Sequence, residues 1–337
     1  MRQSSFACSR RRGAVIVLAA IGLVALVMMV AFAIDLGYLC TVRTELQCAA
    51  DAGALAGVAE LSDNPGRARQ LAKDYVRRNV AVKDSDIDIR FGRWNRANGS
   101  FIPDAMPRDA LEVIVHRPDT PLFFGKIIGR TTQEMSGRAV ASFSPRDIVL
   151  VLDFSGSMNS HDRIGELKKA VSLFTDILEA VDGDDRVAFA RYSTWGEMVI
   201  PLTDDLAAVE ARVHQDRALG WTNIGHGMEL ARTEFQQRGR SHASKIMVVM
   251  TDGHVNRPKG TDPKTYVLDQ GRLAKEEGIT VMSISFGQDA DKLLMKEVAE
   301  ITRGLHFNVP DKVSAQEDDL SAVFRKIALH RPFKLVD

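Results

Sequence analysis

The sequence predicts an α/β protein: an N-terminal transmembrane helix with a helical stalk, a small α/β domain, and a doubly wound, mostly parallel sheet. Three observations carry this. An uncharged run, GAVIVLAAIGLVALVMMVAFAI, fills residues 13–34. Candidate strands with alternating hydrophobicity gather between residues 86 and 143. From residue 146 onward, apolar strand-like runs alternate with amphipathic helices. The expected boundaries are a basic segment at 1–12, the span at 13–34, the stalk at 35–61, the small domain at 62–144 and the large domain at 146–334.

The 22 residues of the apolar run make a helix of roughly 33 Å, close to the ~30 Å of a bilayer's hydrocarbon core. Arg2, Arg10, Arg11 and Arg12 precede it, and Asp35, Arg43 and Glu45 follow. An excess of arginine on one flank places the N-terminus in the cytoplasm and the rest outside. The competing reading is a cleaved signal peptide, with Ala31-Phe32-Ala33 resembling a cleavage site. The run is longer than the ~7–15 residues of a signal core, and the helical pattern continues beyond it. Both points favour a retained anchor. Cys8 is not a lipoprotein cysteine, because the apolar segment follows it. The chain has 337 residues, 45% hydrophobic and 26% charged, with 44 basic and 44 acidic residues, so nothing in the balance points to nucleic acid.

Residues 35–61 continue as a helix, with Leu36, Leu39, Leu46, Leu55 and Val58 as apolar contacts. Ala49, Gly53 and Gly57 form a small-residue stripe that admits a close neighbour, either the next helix of the same chain or another chain. Cys40 and Cys48 lie eight residues apart on this helix, roughly 12 Å, beyond the about 7 Å that a disulfide tolerates. They read as small packing residues, with a bridge between two copies as the alternative. Asp63-Asn64-Pro65-Gly66 breaks the helix, and a second follows with Leu71, Ala72, Tyr75 and Val76 on one face. DIDIRFGRW, ALEVIVHR and MSGRAVASF then alternate as strands, and RANGS at 96–100 is a turn. PLFFGKIIG at 121–129 reads as a short helix whose aromatic bulk faces a core.

In the large domain DIVLVLD, RVAFARYS, EMVIPLT, SKIMVVMTD, ITVMSISFG and LHFNV are strands, separated by helices near 163–181, 205–216, 223–238, 263–277, 290–302 and 315–329. Ile164, Leu167, Val171, Phe174, Leu178 and Val181 make one stripe of the first helix. Continuous apolar strands imply a sheet covered on both faces. In such folds the binding crevice lies outside the carboxyl ends of the strands. Asp153 and Asp252 each end a strand there. Ser155 and Ser157 share the first loop, and Thr222 lies in GWTNIGHG, a loop that opens a helix. These five side chains offer only oxygen, which suits a hard cation such as Mg²⁺, with Mn²⁺ or Ca²⁺ also compatible. Two carboxylates and neutral hydroxyls leave room for a partner's carboxylate.

DFSGSM, a later Thr222-Asn223 and a later Thr251-Asp252-Gly253 resemble the von Willebrand factor A domain and its metal-ion-dependent adhesion site, over residues 146–334. The resemblance implies a Rossmann-like fold in which Ser155, Ser157 and Thr222 touch the metal, Asp153 and Asp252 act through water, and an acidic residue of a protein ligand completes the shell. Trp221 stands where the family often has glycine and reads as plain packing, with a ring at the rim that grips a partner or hinders access as the alternative. Residues 10–60 are similar to the TadE/TadG-like proteins of Flp pilus assembly, through the Arg-Gly-Ala entry, AID-GY and LQ-AADA-ALAG. No glutamate occupies the fifth position after Gly13, which argues against prepilin processing.

Other chemistries fit less well. A haloacid-dehalogenase phosphatase needs D-x-D, and Ser155 stands at the second position. The serine-hydrolase elbow, H-E-x-x-H and the phosphate loop are absent. His161, His226 and His254 could serve zinc or act as a base, but their scatter gives no ligand spacing. Val181–Arg186 reads as a solvated turn. The expected protein is a non-enzymatic, single-pass binding module of a bacterial cytoplasmic membrane. Its N-terminus is inside, and its partners are pilus or envelope components rather than nucleic acid. A module serving an envelope chaperone or ATPase complex, and a metal-dependent phosphohydrolase, are the alternatives.

Overall fold

Amide pairing and apolar periodicity organise the chain into two units, seen in a computed structural model that describes residues 9–61, 64–181, 184–311 and 319–337. Expectations placed on Arg2, Cys8, Asp63, Asp182, Gly183 and the opening of the last helix lie outside the described residues. One unit runs up to Ser142 and includes Phe333–Asp337; the other is Phe143–Pro332.

In the first unit the apolar run and the stalk form one uninterrupted helix, α1 (Ser9–Ala59). Its apolar half is long enough to cross a membrane by length and composition, and its large side chains are exposed. Its second half buries Leu46, Ala49, Ala50, Ala54 and Val58. Against this packs α2 (Pro65–Asn79), opened by Asn64, whose side chain accepts from the Arg67 amide at 3.0 Å. The small-residue stripe serves this contact with the chain's own next helix: a Cβ on Gly53 would lie 2.6 Å from Val76 Cγ2 and 3.1 Å from the Ala72 carbonyl. Cys40 and Cys48 are free and exposed, not packing residues as the sequence suggested.

Strands β1 (Ile87–Asn95), β2 (Ser100–Pro103), β3 (Ala110–Pro121) and β4 (Thr132–Phe143) complete this unit. Joined by a C-terminal strand, Phe333–Leu335, they make a five-stranded sheet in which that strand flanks β4 and the order continues β3-β1-β2. Residues 333 and 334, expected in the large domain, therefore belong here. The stalk is likewise part of the small domain's core and not a separate element. Local alternation announces a strand but not its partner, and three residues at a chain end carry too little pattern to read. PLFFGKIIG does contain a short 3₁₀ turn, Gly125–Ile128, yet Phe123 and Phe124 are exposed and do not face a core.

The second unit holds β5 (Arg146–Asp153), α3 (Arg163–Val181), β6 (Arg186–Tyr192), β7 (Gly196–Thr203), α4 (Leu206–Gln215) and α5 (Ile224–Arg238). It continues with β8 (Ser244–Thr251), α6 (Pro263–Glu276), β9 (Ile279–Phe286), α7 (Lys292–Ile301), β10 (His306–Val309) and α8 (Leu320–Leu329). The sheet order is β10-β9-β8-β5-β6-β7, parallel except for the β6–β7 pair. Every residue of β5 is buried. Ile148, Leu150 and Leu152 share a core with α3 and α8, while Val149 and Val151 share the opposite one with α5 and α7. The chain leaves β5 toward β6 and later returns on the other side as β8. This reversal opens a crevice between the carboxyl ends of β5 and β8.

Gly137 marks a close approach of α1 to the first sheet. A Cβ there would lie 2.4 and 2.5 Å from the carbonyl carbon and oxygen of Leu46. Beside it Gln47 Nε2 donates to the Arg138 carbonyl at 2.8 Å, and the Arg138 amide donates to Gln47 Oε1 at 3.3 Å. Gly137→Ala is expected to force the helix off the strand and destabilise this unit by about 2 kcal/mol or more, read as a lower thermal midpoint of the full chain in detergent.

Candidate functional site

Three loops meet at the crevice. The first leaves β5 at Asp153 and passes through Ser155 and Ser157 into a 3₁₀ segment, Gly156–Asp162, that leads to α3. The second, residues 216–223, joins α4 to α5. The third leaves β8 at Thr251 and carries Asp252. Backbone hydrogen bonds lace them together. The Gly156 amide donates to Gly220 O at 3.0 Å, and the Leu219 amide to Phe154 O at 2.7 Å. The Thr222 amide donates to Asn256 Oδ1 at 3.0 Å, and the Asn256 amide to Thr222 O at 3.1 Å. Gly220, at φ 93°, makes the turn; a Cβ there would lie 2.6 Å from Thr194 Oγ1.

Four of the five sequence-predicted residues form one hydrogen-bonded chain. The Ser155 amide donates to Asp153 Oδ1 at 2.8 Å. The Ser155 and Ser157 hydroxyls are 3.0 Å apart, and Ser157 donates to Asp252 Oδ1 at 2.6 Å. Thr222, buried, joins through its loop's backbone bonds to both neighbouring loops.

The electrostatics are strained. Asp153 and Asp252 are fully buried. Burial, and then the nearby charge of Asp252, pushes the Asp153 carboxyl up to about 6. Tyr192 and Thr251 donate to Asp153 Oδ2 at 3.2 and 2.9 Å. Burial, followed by the charge of Asp153, raises the Tyr192 phenol well above its ordinary range, so it stays a donor. On the other acid, Arg163 Nη1 donates to Asp252 Oδ2 at 2.9 Å, while its Nε and Nη2 grip Asp311 at 2.7 and 3.0 Å. Hydrogen bonding to Asp311 is the largest influence raising the Arg163 pKa, and the same pairing leads in holding Asp311 below the usual carboxylate range. Asp153, Asp252 and Asp311 against Arg163 leave two negative charges in excess. That charge, with the Ser155 and Ser157 hydroxyls between the two crevice acids, fits a hard divalent cation.

Arg163, Tyr192, Thr251 and Asp311 were missed from the sequence. Thr251 had a signal, since it precedes Asp252 in the quoted TDG. Arg163 opens a helix like many exposed arginines and shows its role only when buried. Trp221 departs from plain packing: the residue is 53% exposed, with the Arg257 guanidinium 4.1 Å from its ring centroid. Trp195, 71% exposed, stands over His226, and Leu219 is also exposed. The histidines have separate partners: His226 Nδ1 accepts from the Gly196 amide at 2.9 Å, and His254 lies 3.3 Å from Asp291. Among the described residues no group of three or more His, Cys, Asp or Glu side chains is placed to hold a metal.

The von Willebrand factor type A domain family matches residues 147–320. The TadE/G-like Flp pilus-assembly family matches residues 13–60, and a Tad-like Flp pilus-assembly family matches residues 56–141. Calcium-activated chloride channel regulator 4 of Homo sapiens is 28% identical over 193 residues, 55% of this chain and 19% of the relative. Uncharacterized protein YfbK of Escherichia coli (strain K12) is 22% identical over 186 residues, 54% of this chain and 31% of the relative. The chain thus spans less than a third of the length of either. Among solved structures, BatB from Bacteroides thetaiotaomicron aligns with a TM-score of 0.45 at 18% identity, over 54% of this chain and 97% of that one. The vWF domain of the type V pili tip protein Mfa5 from Porphyromonas gingivalis aligns with a TM-score of 0.45 at 15% identity, over 55% and 94%.

Arg163→Met removes the cation shared by Asp252 and Asp311. Breaking a buried ion pair from one side costs about 3–5 kcal/mol. The expected result is a loss of that order in thermal or urea unfolding, part of it restored when Asp311→Asn is added.

Proposed function

Since the chain belongs to the von Willebrand factor type A family and carries Tad-like pilus-assembly regions ahead of that domain, we propose that it is a membrane-anchored, metal-dependent protein-binding module of Flp pilus assembly or surface attachment. The observation that carries the reading is the hydrogen-bonded chain from Asp153 through Ser155 and Ser157 to Asp252, laced to the Thr222 loop at the strand-order reversal. In this reading Ser155, Ser157 and Thr222 offer hydroxyl oxygens to Mg²⁺, with Mn²⁺ or Ca²⁺ as compatible ions, and Asp153 and Asp252 supply the charge. Bound there, the ion supplies an electrophilic position for a carboxylate of a protein partner. Trp195, Leu219 and Trp221 give that partner an apolar rim, and Arg257 adds a positive one. The apolar half of α1 anchors the module in the bacterial cytoplasmic membrane, with the arginine-rich side inside.

A binding role is favoured over hydrolysis by the serines' own bonds. The hydroxyls bond to each other and to Asp252, while Asp153 is met by the Ser155 amide, and no histidine is among these partners to act as a base.

Titrating Mg²⁺ into chelator-treated protein is expected to give a saturable change in Trp221 emission, absent in Asp153→Ala. Turnover of phosphate esters that disappears in the same variant would overturn the binding reading. The thermal gain from Mg²⁺ over chelator should also depend on pH. A carboxyl raised to about 6 in the fold weakens the metal-free protein as pH climbs from its ordinary 3.8 through 6. A dication relieves that penalty, so the gain is expected to be largest above pH 6 and to shrink below it.

A further inference from the structure

The tip between β3 and β4, Leu122-Phe123-Phe124-Gly125-Lys126-Ile127-Ile128-Gly129-Arg130, departs from what a water-facing hairpin needs. Phe123 is 60% exposed and Ile127 66%, and Phe124 is also exposed. The tip lies against α1 where the apolar run ends. The Phe123 amide donates to Asp35 Oδ1 at 2.8 Å and the Phe124 amide to Asp35 Oδ2 at 3.0 Å. The Phe123 ring meets Tyr38 edge-on, with centroids 5.2 Å apart. A cavity of about 100 Å³ lies between Met28, Ala31 and Phe32 of the helix and Phe124 and Ile127 of the tip.

We propose that this tip is a second membrane contact, a wedge seated in the bilayer interface beside the helix that spans it. This rests on the anchor reading of α1 and is independent of the metal site. Three observations support it. The first is continuity: Met28, Phe32, Phe124 and Ile127 are exposed and line one cavity, and residue 28 lies roughly 9 Å inside the end of the apolar run. The second is backbone satisfaction, which an apolar medium demands. Besides the two amides held by Asp35, those of Leu122, Ile127, Gly129 and Arg130 donate to Thr131, Phe124, Lys126 and Gly125 carbonyls. Asp35, itself buried, thus has its charge covered by the tip it holds. The third is the flanking charge. Lys126 and Arg130 are exposed and long enough to reach lipid headgroups while their stems lie along the apolar surface.

The test uses the full chain with Cys8→Ser, Cys40→Ser and Cys48→Ser, reconstituted into vesicles of phosphatidylcholine and phosphatidylglycerol. Single probes are attached at Ile127→Cys, Val24→Cys and Asn98→Cys. The expected result is quenching of probes 127 and 24 by brominated lipid, with iodide quenching at 127 at least about three-fold weaker than at the water-facing position 98. Asp35→Ala should raise iodide access at 127 by releasing the tip. If 24 is quenched by lipid but 127 behaves like 98, the wedge is wrong and the anchor stands. If neither is lipid-quenched, the anchor falls and the wedge with it. Shielding of 127 from both quenchers, with cross-linking between copies, would assign the surface to a second chain and overturn the proposal.

Discussion

Asp153 and Asp252 stand at the ends of neighbouring parallel strands, both buried, and among the described residues the hydrogen bonds to the Asp153 carboxylate come from neutral groups. Much of the crevice is arranged around these two acids. Tyr192 and Thr251 donate to one acid, Arg163 and Ser157 to the other, and the serine hydroxyls span the gap. The sheet places the acids, since β5 and β8 become neighbours only because the chain reverses its direction of winding there. A buried carboxylate pair held this way costs stability unless a cation joins it.

Arg163 complicates a simple two-acid picture. One guanidinium spans Asp252 in the crevice and Asp311 after β10, so the last part of the unit is tied to the site through a single buried side chain. Its grip on Asp311 leaves Asp252 only partly neutralised. Trp221, next to Thr222, and Trp195, beside His226, remain exposed.

In the first unit the dominant constraint is backbone approach. Gly53 and Gly137 let α2 and β4 close on the same helix from different sides, at distances that a methyl group would forbid. The stalk is thereby converted from a spacer into the core of a small domain. The apolar segment and the helix that packs into this domain are one uninterrupted helix.

The sequence by itself determined most of the elements, short strands such as Ser100–Pro103 and Phe333–Leu335 excepted, and the oxygen-only character of the five candidate side chains. The 3.6 and 2.0 periodicities are local properties, and so is the presence of Asp153, Ser155 and Ser157 at alternate positions after an apolar strand. It also fixed the apolar run, because length and absence of charge need no partner to be read. Only the tertiary structure decided what those residues meet. Arg163 and Tyr192 look like ordinary helix and strand residues until a strand crossing brings Asp252 and Asp153 to them. Whether Trp221 packs or stands exposed at the rim was open from the sequence, because exposure is set by neighbours distant in the chain. The strand at Phe333–Leu335 and the grip of Asp35 on residues 123 and 124 are pairings across long sequence separations. Local pattern carries no record of such pairings, since their free energy arises only when the partner is present.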